Sequence, residues 1–156
     1  MKNQLSKKLS AFIIIAMMFS ASANAQIVNI PDVGFKSKLV NNININTNGD
    51  SEIQVSEAAT FNGVMNVARV LWTPPNGGPP ILLGPNITDL SGVEAFTALT
   101  GLNCARNTLS SLNVSANTAL TDLDCSSNQL TSLDISVNTA LTILKCAGNQ
   151  LTSLNV

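Results

Sequence analysis

Residues 99–119 read LTGLNCARNTLSSLNVSANTA, residues 120–140 read LTDLDCSSNQLTSLDISVNTA, and residues 141–156 read LTILKCAGNQLTSLNV. The first two segments agree at 12 of 21 positions and the third matches the second at 10 of 16, so this is a repeat with a period of 21. Cys104, Cys125 and Cys146 mark that period, as do Asn107, Asn128 and Asn149. Each repeat also divides in two, because Leu120-x-x-Leu123-x-Cys125-x-x-Asn128 is echoed by Leu130-x-x-Leu133-x-Ile135-x-x-Asn138. The x-Leu-x-Cys segment alternates with period two, which predicts a short strand. The Asn three residues later falls where the chain must turn, and an inward side-chain amide there can bond the backbone groups of the bend. Stacked coils place successive strands ~4.8 Å apart in a parallel sheet. No coil can bury its apolar face alone, so the core is made by its neighbours.

The pattern also runs backwards. Ile81, Leu83, Asn86 and Val93 lie 21 residues before Leu102, Cys104, Asn107 and Val114, while Ile87 and Leu90 fall one residue out of step. Residues 78–98 are therefore expected to be a worn first coil.

The motif L-x-x-L-x-C-x-x-N-x-L resembles the leucine-rich repeat family, in the short bacterial form found in internalin-like surface proteins. The Cys in the third apolar slot and the Asn-Thr-Ala-Leu-Thr between coils look like secreted repeat proteins of the Bacteroidetes group. The resemblance covers 78–156. It implies a repeat solenoid of about four 21-residue coils with short parallel strands, whose strand face binds a partner, usually protein and sometimes glycan. All three cysteines occupy a slot that Leu commonly fills in such repeats, and they are read as buried structural residues. Bridging adjacent coils is awkward because their Cβ directions run parallel.

Composition narrows the chemistry. The chain has 156 residues with 8 basic and 9 acidic side chains, 11% charged and 45% apolar, and contains neither His nor Tyr. Without imidazole, Ser-His-Asp and Cys-His catalysis and His-ligated zinc are excluded. A charge of −1 offers no basic stripe for nucleic acid. Asp122, Asp124 and Asp134 read as solvated strand-edge residues, and no enzymatic activity is expected.

The first 25 residues have the form of a secretory signal peptide: Lys2, Lys7 and Lys8, an apolar stretch from Ala11 to about Ala21, and small residues at Ala23 and Ala25 before Gln26. The apolar run falls short of the ~20 residues a spanning helix needs, so no membrane span is expected after cleavage. The processed chain would have 131 residues with 5 basic and 9 acidic groups, a charge of −4. With no Cys beside the cleavage site to carry a lipid, the expectation is free secretion or display at the cell surface.

Residues 26–77 are expected to form a helical cap, a strand and a Pro/Gly loop ahead of the repeats. Pro31-Asp32 opens a helix through Val40, Glu57 to Asn62 is a second helix, Val67 to Trp72 a strand, and TPPNGGPP (73–80) an inserted surface loop. Between the helices, residues 46–57 fit the twelve-residue EF-hand loop. In that geometry Asn46, Asn48 and Asp50 each lend a side-chain oxygen, Glu52 its carbonyl, Gln54 a direct or water-mediated contact and Glu57 both carboxylate oxygens. Position 1 is Asn rather than Asp, and Ser51 stands where Gly is usual. Two readings stay open: weak calcium binding, and a loop that keeps the EF-hand shape through hydrogen bonds alone.

The outward residues of the two half-coils differ in character. On one side they change from coil to coil, as Gly101 and Asn103, Asp122 and Asp124, then Ile143 and Lys145. On the other they barely change, as Ser111 and Asn113, Ser132 and Asp134, then Ser153 and Asn155. A face of varied size and charge can discriminate among partners. Asn103, Arg106, Asp122, Asp124, Ile143 and Lys145 are therefore the candidate partner-binding residues, with Arg106 at the edge. The functional expectation is a secreted or surface module for non-covalent recognition of, or adhesion to, an extracellular protein. The alternatives are a polysaccharide-binding segment or a structural spacer of a larger exported protein. Because the last repeat leaves Leu144, Leu151 and Leu154 without a covering segment, the sequence also suggests a truncated product or association through that end.

Overall fold

The computed structural model describes residues 25–75 and 77–156; the expected signal segment ahead of Ala25 lies outside them. Among the described residues two helices come first, α1 (Val33–Val40) and α2 (Val55–Thr60). Eight three-residue strands follow: β1 (Val64–Asn66), β2 (Val70–Trp72), β3 (Ile81–Leu83), β4 (Gly101–Asn103), β5 (Asp122–Asp124), β6 (Ser132–Asp134), β7 (Ile143–Lys145) and β8 (Ser153–Asn155). A 3-10 turn spans Val93–Ala95. Among the described residues, no helix is long and apolar enough to cross a membrane.

Strands β1, β4, β5 and β7 form a parallel sheet in that order, and β6 and β8 form a second parallel pair. Register follows the repeat: Leu102 aligns with Leu123 and Leu123 with Leu144, while Leu133 aligns with Leu154. Parallel neighbours separated by one winding of the chain, with a shared interior between the two sheets, make this a leucine-rich-repeat-like fold.

The beginning of the sheet differs from the expectation. Ile81–Leu83 is not the strand of a first coil. It pairs antiparallel with Val70–Trp72, while the strand beside Gly101–Asn103 is Val64–Asn66. The repeating sheet thus starts at Val64 rather than at residue 78, and of the expected strand from Val67 to Trp72 only Val70–Trp72 is strand, in the antiparallel pair. Residues 64–69 (VMNVAR) match 101–106 (GLNCAR) in Asn, Ala and Arg and in the two inward apolar positions, but the segments lie 37 apart, one 21-residue period plus an insertion of 16. That insertion is the β2–β3 hairpin. It displaced the true first strand from the period and left Ile81 and Leu83 to align by coincidence.

The interior is a stack of apolar columns. Met65, Leu102 and Leu123 are buried behind the sheet, with Val67, Cys104 and Cys125 beside them. All three thiols are free, and Cys146 in the last coil is half-buried. Each Asn of the first column serves at least three backbone groups. Asn128 Nδ2 donates to the carbonyls of Cys104 (3.1 Å) and Cys125 (3.0 Å), while its Oδ1 accepts from Leu109 N (3.0 Å). Asn107 and Asn149 repeat the arrangement, accepting from Ile87 N and Leu130 N. Ile87 therefore keeps its column although its spacing to Leu109 is 22. In the second column Asn117 and Asn138 donate to the preceding coil in the same way, but their buried Oδ1 atoms have no partner.

The helical segment is docked on this stack. Asp32 caps α1 by accepting from Phe35 N, and its other oxygen accepts from Thr88 N (2.8 Å) and Oγ1 (3.1 Å) of the first coil. Phe35, Leu39, Ile45, Ile53 and Ala58 join the same apolar cluster as Leu99 and Leu102. Phe61 meets Phe96 edge to face with centroids 6.3 Å apart. Gly92 has φ +102°, and a Cβ there would lie 2.8 Å from Ile30 and 2.9 Å from the Asn29 carbonyl. Only Gly allows the chain to turn this close to the N-terminal segment.

Candidate partner-binding surface

The period-two alternation that buries Leu102, Leu123 and Leu144 sends the residues on either side of them outward. Strand register then aligns Val64, Gly101, Asp122 and Ile143 in one row and Asn66, Asn103, Asp124 and Lys145 in another. The two rows line a shallow depression of about 230 Å³ that includes Val64, Gly101, Asn103, Asp122, Asp124, Ile143 and Lys145. Five of the six candidate residues thus meet on one surface. Val64 is the functional neighbour that sequence reasoning missed, and its signal was the VMNVAR match hidden by the insertion.

The polar residues of this surface are not equally free. Asn103 Oδ1 accepts from Ala105 N, and Asp124 Oδ1 accepts from Ser126 N (3.1 Å) and Oγ (2.6 Å), so each bonds the turn that ends its own strand. Asp124 still has Oδ2, 4.0 Å from Lys145 Nζ. Asp122 Oδ2 accepts from Thr121 Oγ1 (2.7 Å), and its side chain otherwise faces solvent. Exposed Ile143 adds an apolar contact beside these charges. The Val64 side chain leans over Gly101, where a Cβ would approach its methyls at 3.0 and 3.1 Å. The surface offers an anion, a cation and an apolar patch within a few residues.

Arg106 is exposed but does not line the depression. It occupies the turn position at φ +59°, where Ser127 (φ +57°) and Gly148 (φ +70°) stand in the next two coils. The opposite surface is more uniform. Ser111, Asn113, Ser132, Asp134 and Ser136 border a depression of about 270 Å³, and Asp134 is held to its own turn by Ser136 N (3.0 Å) and Oγ (2.6 Å). Those bonds hold its carboxyl below the usual carboxylate range.

The six EF-hand positions come together between α1 and the first turn of α2, and the side-chain oxygens of Asn46, Asn48, Asp50, Gln54 and Glu57 accept hydrogen bonds within the loop. Glu57 Oε1 accepts from Thr47 N (2.8 Å), Thr47 Oγ1 (2.9 Å) and Asn48 N (3.1 Å), while Oε2 accepts from Gln54 N (3.0 Å). Burial raises the Glu57 carboxyl, but these bonds together outweigh it and leave the group below its ordinary value. Asp50 Oδ1 accepts from Glu52 N, and its Oδ2 accepts from the side-chain amides of Asn48 (2.9 Å) and Gln54 (2.9 Å). Asn46 turns its amide nitrogen to the carbonyls of Val40 and Asp50. Calcium requires six to eight oxygens directed at one point. Here the amide N–H groups of Asn48 and Gln54 converge on the Asp50 carboxylate. The Glu52 carboxylate points elsewhere and pairs with Lys36 at 2.7 Å.

No family model matches the chain, and no curated protein matches it. Among solved structures it is similar to the functional domain of InlJ from Listeria monocytogenes, described as including a cysteine ladder, with 28% identity over 84% of this chain and a TM-score of 0.47. The chain spans 30% of that structure's length.

Proposed function

We propose that the chain is an exported, non-catalytic recognition module that binds an extracellular protein through the face of β1, β4, β5 and β7. The observation that supports this reading is the contrast between the two strand faces. The rows Val64-Gly101-Asp122-Ile143 and Asn66-Asn103-Asp124-Lys145 vary at almost every step over a uniform Leu interior, whereas Ser132 and Asp134 on the other side align with Ser153 and Asn155. Fixed backbone with variable outward chemistry suits selective contact, because mismatched charges on a preformed surface penalise wrong partners. A protein partner suits this face better than a glycan, since it presents no aromatic ring for stacking on a sugar.

The test is binding of the exported chain to arrays of extracellular proteins and of glycans, followed by Asp122→Lys, Asp124→Lys and Ser132→Lys. Reversal at Asp122 or Asp124 is expected to abolish capture of a protein ligand, while Ser132→Lys leaves it intact. Loss with Ser132→Lys alone, or binding confined to glycans, would overturn the proposal. The loop at 46–57 acts in this reading as a metal-independent brace, so a chelator is expected to leave the melting temperature unchanged. A rise in that temperature at submillimolar calcium would refute the brace.

A further inference from the structure

The β2–β3 hairpin has no counterpart in the later coils. Its six strand side chains, Val70, Leu71, Trp72, Ile81, Leu82 and Leu83, are all large and apolar, and all are 38–59% exposed. Register places Val70 opposite Leu83 and Trp72 opposite Ile81 on one face, with Leu71 and Leu82 on the other. From residue 70 to residue 83 there is no charged side chain. A two-stranded hairpin is marginal in water on its own, and large contiguous apolar patches on soluble proteins mark interaction sites. At its base Arg69 fixes the hairpin to the stack, donating from N to the Ala105 carbonyl (3.2 Å) and from Nη2 to the Leu82 carbonyl (3.2 Å).

We propose that this hairpin is a self-association surface, on which a second copy of the chain packs its own Val70, Trp72, Ile81 and Leu83 face to face about a two-fold axis. A copy of the chain fits for three reasons. An uncharged apolar face meets itself without like-charge repulsion and satisfies the self-complementarity of a two-fold contact. With four half-exposed side chains from each copy, the contact is small and falls among weak, concentration-dependent complexes rather than obligate dimers. A lipid bilayer fits less well, because among the described residues the outer edges of β2 and β3 have no strand partner. Those backbone groups stay hydrated at a protein contact but would lose water in hydrocarbon.

Trp72 is the single tryptophan of the chain, so its fluorescence reports on this surface directly. Sedimentation equilibrium of the exported chain from about 1 to 500 μM is expected to show a reversible monomer–dimer equilibrium, with Trp72 emission shifting to the blue over the same range. Val70→Lys combined with Leu83→Lys places two cations on the contact and is expected to weaken the dimer by at least about 100-fold, with unchanged far-ultraviolet circular dichroism. Three results would each overturn the proposal: a wild-type monomer at every concentration, a dimer whose formation leaves Trp72 emission unchanged, or a blue shift of monomeric protein on phosphatidylcholine–phosphatidylglycerol vesicles alone. The emission measurement needs no variant, so it decides even where the double substitution fails to fold.

Discussion

Substituting Asn128 by Ala removes one side chain that two adjacent coils share. Its amide donates to the carbonyls of Cys104 and Cys125 and accepts from Leu109 N, all in the buried interior. The two carbonyls retain second donors, since Asn107 Nδ2 also reaches Cys104 O and Asn149 Nδ2 also reaches Cys125 O. Leu109 N is the group left without a partner. An orphaned buried N–H costs ~1–3 kcal/mol and each lost second bond ~0.5–1.5, so the sum is about 3–4 kcal/mol. Asn149→Ala makes the corresponding cut in a half-buried coil, where water can replace the amide; about 1–2 kcal/mol is expected. Asn117→Ala should also cost less, because it orphans no N–H and removes an Oδ1 that has no partner. Urea unfolding of the three variants, followed by circular dichroism with a common m-value, ranks them. Equal losses at positions 128 and 149, or a loss below about 1 kcal/mol at 128, would refute the shared-bond argument.

Acid should loosen the junction of the helical segment first. Hydrogen bonds hold Asp32 and Glu57 below their ordinary values of 3.8 and 4.5 despite the opposing effect of burial. Their contribution is therefore complete above those values and is lost as pH falls through the lower folded ones; melting temperature measured from pH 7 to pH 2 should drop more steeply for the wild type than for Glu57→Gln. Arg106→Gly and Ser127→Gly should each stabilise by about 0.5–1 kcal/mol, since both residues hold a left-handed conformation that Gly148 already adopts in the last coil; a loss of stability in denaturant would show that their side chains matter more than the backbone. Among the thiols, Cys146 should react first with an aromatic disulfide reagent. Burial pushes the Cys125 thiol up to about 12 and raises Cys104 as well, so those two should label only at the rate of unfolding; fast labelling of all three in the native state would contradict the buried ladder.

The 21-residue period was enough to establish parallel strands at Leu102, Leu123 and Leu144, the inward Cys and Asn columns and the outward residues of each strand. These depend only on local alternation and on identical coils stacking in register. The helix that Pro31-Asp32 opens was legible for the same reason, being set within one or two turns of chain. The start of the sheet was not. Whether Ile81–Leu83 stacks on Gly101–Asn103 or folds back on Val70–Trp72 depends on which segment fills the inner columns, and Met65 and Val67 fill them across a 16-residue insertion that no fixed period reveals. Likewise the EF-hand spacing named the six residues of the loop, but not that the N–H groups of Thr47, Asn48 and Gln54 reach Glu57. Spacing records which groups can meet; which of several donors occupies an acceptor is settled only when the chain closes on itself.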